Sequence, residues 1–336
     1  MAAPEDPKVA TDPLLHKVLE DVGRIHGESE QLAREHRAAE LLAKERLFDL
    51  LEGENRRLLC YLSGSGFGGI EHSDAAPMGS MLDAVGDMGC IDLFLHSPGG
   101  VGEVAEKLVE MCRARCDEFR VIVLNYAKSA ATMVALGADV IVMGDPSELG
   151  PIDPQYAISI GGVSQSISGV SFVRAFDKAQ AEVKRLIAED ESPVGELQSL
   201  TASTMEPAFI EHCRRGIAFS RDLARTFLRK YHLPAKAHAQ GQTPPATAVR
   251  ERARRAADNL LSERTRFTHG RLIGGSEARD EVGLHVDLLD RSNPLWQGYW
   301  ELYVRAEVFM QTLGPMEDRP PVAKLFFDRT STLPAY

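Results

Sequence analysis

No stretch of the 336-residue sequence approaches the roughly 18 apolar residues that a membrane-spanning helix requires. The N-terminal MAAPEDPKVATDP has no basic region followed by an apolar run. The two absences predict a soluble chain that is made and kept in the cytoplasm. Basic charge is scarce as well: 38 Lys and Arg stand against 49 Asp and Glu, for a formal net charge of −11, which argues against a dedicated nucleic-acid surface. The one basic cluster, Arg250, Arg252, Arg254 and Arg255, is interleaved with Glu251 and alanine and reads as a solvated helix face. Cysteine is sparse and odd in number. Cys60, Cys90, Cys112, Cys116 and Cys213 show no paired zinc-type spacing, so the sequence suggests no metal, and a reducing compartment suits them. No GxxxxGK[ST] phosphate loop is present, so the chain carries no nucleotide-driven motor of its own.

The hydrophobic content of 44% is enough to bury a full core. Residues 12–57 read as one or two helices, with Asp12 and Pro13 at a helix start and Leu14, Val18, Val22 and Ile25 at helical spacing. This N-terminal arm (1–57) is either solvated or an oligomerisation element. From residue 58 short apolar runs alternate with helical stretches: Leu58–Leu62, Ile91–Leu95, Val121–Leu124 and Val140–Met143 against 78–88, 101–117 and 130–138. That alternation predicts an α/β fold with a mainly parallel sheet and right-handed crossovers, its core ending near residue 160. SIGGVSQSISGVS (159–171) reads as a loop or weak hairpin. Residues 173–264 form a helical insertion, broken at Pro193, Pro207, Pro234 and Pro244–Pro245. Val286–Leu289 completes the main domain (58–290) as a last short strand. A C-terminal helix around Trp296–Leu313 and an extended tail make up 291–336.

Four short segments carry possible chemistry. In His96-Ser97-Pro98-Gly99-Gly100, two glycines at a strand-to-helix junction turn the backbone sharply and expose N–H groups where negative charge is stabilised. Taken alone, it is also an ordinary tight loop. Lys128-Ser129-Ala130-Ala131-Thr132 follows the strand VIVLNY and opens an apolar helix, which sets a serine hydroxyl at the carboxyl edge of the sheet, either as a nucleophile or as a simple cap. Leu149-Gly150-Pro151-Ile152-Asp153-Pro154-Gln155 fixes the backbone around Asp153, a carboxylate that either orients a histidine or caps a turn. Thr268-His269-Gly270 places His269 in a polar turn ahead of Glu277-Ala278 and Val282-Gly283-Leu284.

As an ordered set, IDLFLHSPGG, KSAATMVALGADVIVMG, LGPIDPQ and the TH…EA…GL element resemble the ClpP-fold serine peptidases. More closely, they are similar to the serine dehydrogenase proteinases, distant relatives of the signal peptide peptidase A group. The resemblance runs from about residue 56 to 290 and implies a ClpP/crotonase-like fold. It implies a triad of Ser129, Asp153 and His269, with Gly99, Gly100 and Ala130 supplying an oxyanion hole. Signal peptide peptidase A enzymes use a Ser-Lys dyad, so Lys178 and Lys184 are alternative bases if desolvated; His96 is a further candidate.

The implied activity is ATP-independent intracellular hydrolysis of peptide bonds. Its partners would be a peptide or protein substrate, further copies of the chain, and an ATPase or regulatory protein if folded substrates are degraded. The triad requires no cofactor and no metal. Two rivals remain: a crotonase-type acyl-CoA enzyme, which would need catalytic acids, and a catalytically idle scaffold that binds peptides through its helical parts.

Overall fold

The computed structural model describes residues 14, 17–18, 38–63, 68–160, 162–200, 206–261, 270–312 and 323–335. Of the one or two helices expected over 12–57, the part over 12–37 lies outside these apart from residues 14, 17 and 18, as does His269.

The chain runs through α1 (Lys44–Leu51), β1 (Arg56–Ser63), α2 (Ala75–Val85), β2 (Met88–His96), α3 (Gly102–Arg113), β3 (Cys116–Ile122), β4 (Tyr126–Ala127), α4 (Ala130–Leu136), β5 (Val140–Met143) and β6 (Glu148–Leu149). The hairpin β7 (Gln155–Ile160) and β8 (Val163–Ser168) leads into α5 (Gly169–Ala188), α6 (Val194–Leu200), α7 (Pro207–Phe227), α8 (Leu233–Ala239) and α9 (Ala246–Leu260). Then come β9 (Ile273–Gly274), β10 (Val286–Leu288), α10 (Pro294–Thr312), β11 (Lys324–Phe327) and β12 (Thr332–Ala335).

The main sheet has the order β10-β5-β3-β2-β1-β11-β12, parallel from β10 to β1 and antiparallel across the two tail strands. Both its faces are covered, which explains the continuous apolar runs. Ile91, Leu93 and Leu95 of β2 pack with α3 and α4 in one core, while Phe94 joins Leu58, Cys60 and Leu62 of β1 in a second core beneath α1 and α10. A charge is tolerated in the sheet because it is answered: the buried Asp92 receives both Nε and Nη2 of Arg120, at 2.7 and 2.6 Å, and Tyr299 Oη at 3.2 Å.

Several boundaries differ from expectation. Strand β3 starts at Cys116, five residues before the apolar run, so α3 stops at Arg113 rather than continuing to 117. Of the intervening charges, Arg120 is paired with Asp92 and Asp117 is exposed, while the Phe119 N–H between them is held by Asp139 at 2.8 Å. Pro234 does not break the insertion. A π-helical turn, Leu228–His232, precedes it and places it in the first turn of α8, where a missing N–H is tolerated. The sheet also does not end near residue 160, because the tail returns as β11 and β12. The weak hairpin is present as β7–β8.

Candidate active site

The site is built where β2 and β4 end side by side. Ser97 N–H donates to Tyr126 O at 3.1 Å and Lys128 N–H donates to Ser97 O at 3.0 Å, so the Gly-Gly turn and the serine turn leave the strands together. Gly99 and Gly100 have φ of +105° and +144°, values that side chains rarely adopt. Gly99 has a second reason to be glycine: a Cβ there would lie 2.7 Å from Ser129 Cβ and 2.7 Å from Lys128 O. The backbone of this turn therefore rests directly on the serine.

Ser129 itself has φ +50° and ψ −116°, outside the ordinary regions for a non-glycine residue. Such a conformation costs on the order of 1–3 kcal/mol and persists only where the surroundings impose it. Here they do. Ala131 N–H donates to Lys128 O at 2.8 Å, and Thr132 Oγ1 donates to Ala127 O at 2.7 Å while accepting Gly150 N–H at 3.1 Å. The result is a sharp strand-to-helix elbow holding a half-buried serine.

The three candidate oxyanion donors are not equivalent. Gly99 N–H is engaged by Ser97 Oγ at 3.2 Å. Ile70 pairs with the turn as a parallel bridge, its N–H donating to Gly99 O at 2.6 Å and its carbonyl accepting Val101 N–H at 2.8 Å. By the alternation of an extended strand, Gly100 N–H then faces away from Ile70. Ala130 N lies 3.1 Å from where a Gly99 Cβ would stand, so it borders the same turn. Gly99 N–H is thus taken up within its own turn, while Gly100 N–H faces away from Ile70 and Ala130 N borders the turn.

Neither Ile70 nor Thr132 stood out in the sequence. Thr132 follows the serine by three residues in KSAAT, and that spacing is the only trace of its bridging role.

A second, three-stranded sheet gathers the remaining motifs. β4 pairs parallel with β6 (Tyr126 with Glu148, Ala127 with Leu149), and β6 pairs antiparallel with β9 (Glu148 with Gly274, Leu149 with Ile273). The chain leaves β4 towards Ser129, leaves β6 towards Asp153, and enters β9 from residues 270–272, all at one end of this sheet. Asp153 is 0% exposed, and its Oδ2 accepts Gln155 Nε2 at 3.0 Å and the hydroxyl of Ser168. Lys128 lies across Gly150, with Nζ 2.9 Å from Glu148 Oε1 and donating to Leu149 O and Arg271 O at 3.4 Å.

The alternative bases are placed elsewhere. Lys178 and Lys184 are exposed on α5. His96 shares the parity of Phe94 along β2 and turns to the α10 side of the sheet, where burial lowers its pKa to about 4. Among the described residues no cluster of His, Cys, Asp and Glu forms a metal-ligand set, and no helix is long and apolar enough to cross a membrane.

Residues 69–191 match the family model of the ClpP-like SDH-type serine proteinases, a segment that contains Gly99, Gly100, Ser129, Ala130 and Asp153 and ends before His269. The matched segment takes in β2, β3 and β5, three of the parallel strands of the main sheet. Two uncharacterized proteins of Methanocaldococcus jannaschii are similar to parts of the chain. One is 46% identical over 65 residues, 19% of this chain and 23% of that protein. The other is 25% identical over 128 residues, 38% of this chain and 42% of that protein. The chain thus matches less than half the length of either relative. Among solved structures, a variant of a membrane-bound stomatin-specific protease is similar at 12% identity and a TM-score of 0.38, covering 72% of this chain and 82% of that one.

Proposed function

We propose that this chain, whose residues 69–191 match the family model of the ClpP-like SDH-type serine proteinases, hydrolyses peptide bonds with Ser129 as nucleophile. The observation that carries the reading is the strained Ser129 elbow with the Gly99 backbone packed against it, inside the matched segment. In this mechanism Ser129 Oγ attacks the carbonyl carbon and its proton passes to the base. The carbonyl oxygen, now an anion, is held by Gly100 and Ala130 N–H, and the amine leaves with the proton returned to it. Water, activated by the same base, then releases the acyl group from Ser129.

The base in this reading is His269, oriented by Asp153. Its support is the three-stranded sheet: Asp153 follows β6, and Arg271, two residues beyond His269, receives Lys128 Nζ on its carbonyl. On the other side of the same loop, Ile152 N–H donates to Leu260 O at 2.9 Å. One observation favours a second reading. The family match stops at residue 191, short of His269, and SDH-type proteinases use a Ser-Lys dyad. Lys128, Lys178 and Lys184 all lie within the match, and a lysine base requires burial to be neutral near pH 7.

The deciding experiment is fluorophosphonate labelling of the purified chain, with the modified residue located by mass spectrometry, beside Ser129→Ala, His269→Ala, Lys128→Met, Lys178→Met and Lys184→Met. Label on Ser129 that is lost in Ser129→Ala and His269→Ala supports the triad. Loss in one lysine variant with His269→Ala unaffected moves the base to that lysine. No label on Ser129 in the unmodified chain overturns the peptidase reading and leaves the peptide-binding scaffold.

A further inference from the structure

The two turns that form the site are joined beneath it by a pair of rings. His96, the last residue of β2, precedes Gly99 by three positions, and Tyr126, the first residue of β4, precedes Ser129 by three. Their ring centroids are 4.0 Å apart with the planes at 50°. On its other side His96 meets Tyr303 of α10, at 5.1 Å between centroids. The imidazole is 1% exposed. Its Nδ1 has no hydrogen-bond partner among the described residues, and its Nε2 stands 3.7 Å from Glu307 Oε1, too far for a hydrogen bond. Hydrogen bonding therefore does not account for a histidine at this point. What the side chain does make is ring contact, with the first residue of the neighbouring strand.

Resting on the reading of Ser129 as nucleophile, we propose that His96 is a positioning residue: its ring, wedged between Tyr126 and Tyr303, couples the Gly99–Gly100 turn to the Ser129–Ala130 turn and fixes the oxyanion donors relative to the nucleophile. The backbone bonds between Ser97 and Tyr126 and between Lys128 and Ser97 align the two strand ends, and the rings brace that alignment from the face opposite α4. Reactions of this kind are sensitive to displacements of about 1 Å, so the brace acts on rate more than on substrate binding.

The test uses the full chain with His96→Ala, His96→Phe and, as a stability control on α10, the helix that carries Tyr303, Met310→Ala. Two measurements are made: hydrogen exchange of the segments 97–101 and 128–131, and the rate of fluorophosphonate labelling at Ser129. His96→Ala is expected to raise exchange in both segments together and slow labelling by about tenfold or more. With a peptide substrate the loss falls on kcat while KM is retained. His96→Phe, which keeps a ring and removes the unpartnered nitrogen, restores both measurements. Met310→Ala lowers the melting temperature and changes neither. Exchange raised in one segment alone or in neither, failure of the phenylalanine variant to restore it, or an equal effect of Met310→Ala would each overturn the coupling. If the unmodified chain takes no label, the catalytic reading fails, while the exchange measurement still decides whether the turns are coupled.

Discussion

Thr132 accepts the Gly150 N–H at 3.1 Å while donating to Ala127 O at 2.7 Å, so a single hydroxyl joins the helix that begins after Ser129 to the loop that carries Asp153. Because Thr132 is fully buried, neither bond can be replaced by water. Thr132→Val keeps the shape and strands the Gly150 N–H, at a cost of about 1–3 kcal/mol. Urea unfolding should register that loss. Labelling of Ser129 should fall further than a surface substitution of equal destabilisation would cause; unchanged stability would show that the hydroxyl does not bridge.

Gly99→Ala tests the contact between the two turns. The added methyl would enter the space of Ser129 Cβ and Lys128 O at a backbone angle of φ +105°. Both neighbours are main chain or fixed to it, so one turn must move. The expected outcome is a folded protein, destabilised by roughly 1–3 kcal/mol, with Ser129 no longer labelled. Circular dichroism and labelling on the same sample separate the two effects.

Acid should destabilise the fold through His232. The ring is wholly buried, with Nδ1 2.7 Å from Ala138 O and Nε2 accepting His285 N–H at 2.7 Å, which assigns the proton to Nδ1. Burial, the largest cause, pushes its pKa from 6.5 down to about 3. Between these values the unfolded chain binds a proton that the folded chain refuses. Stability attributable to this group is therefore present above about pH 6.5 and lost as pH falls toward 3, at up to about 1.4 kcal/mol per pH unit. Denaturant unfolding at pH 7 and pH 5, run on His96→Phe because burial lowers the His96 pKa in the same window, checks the slope. Nitrogen NMR of the imidazole checks the tautomer, and a His232 that titrates near 6.5 would contradict the burial.

The link between the tail and the site wall can be tested at Lys324. Its ammonium is buried with Asp74, 2.7 Å from Oδ1, and Asp74 Oδ2 also receives Tyr61 Oη and Glu71 N–H, each at 2.8 Å. Glu71 follows Ile70, the residue paired with Gly100. Lys324→Met leaves Asp74 buried without its cation, a loss of about 3–5 kcal/mol. Adding Asp74→Asn to it should recover part of that stability; a double variant no better than the single one would show that the ion pair is not the cause.

Much of the main sheet was legible because IDLFL and VIVM lie between two cores and read as apolar runs, interrupted only by Asp92. The Gly-Gly and serine turns were legible for a related reason, since glycine and small residues at strand ends leave a sequence trace wherever backbone must approach backbone. The three-stranded sheet left none. Strands of two residues, such as Tyr126–Ala127 and Ile273–Gly274, have no periodicity to detect, yet they bring the motifs together. The facing of His96 could have been read from alternation, as it shares parity with Phe94 and not with Leu95. The tail strands were missed because KLFF is short and its partner lies far back in the sequence.

That last pairing sets an order of events during synthesis. Cys60 of β1 is matched with Phe327 of β11, so β1 leaves the ribosome long before the strand that covers its outer edge exists. Until then Cys60 and Leu62 flank an open row of N–H and C=O groups, the kind of edge on which nascent chains associate wrongly. The hairpin of β11 and β12 is in this sense a closing clasp, and a chain whose translation stops before residue 324 would expose a sticky edge that the finished molecule never shows.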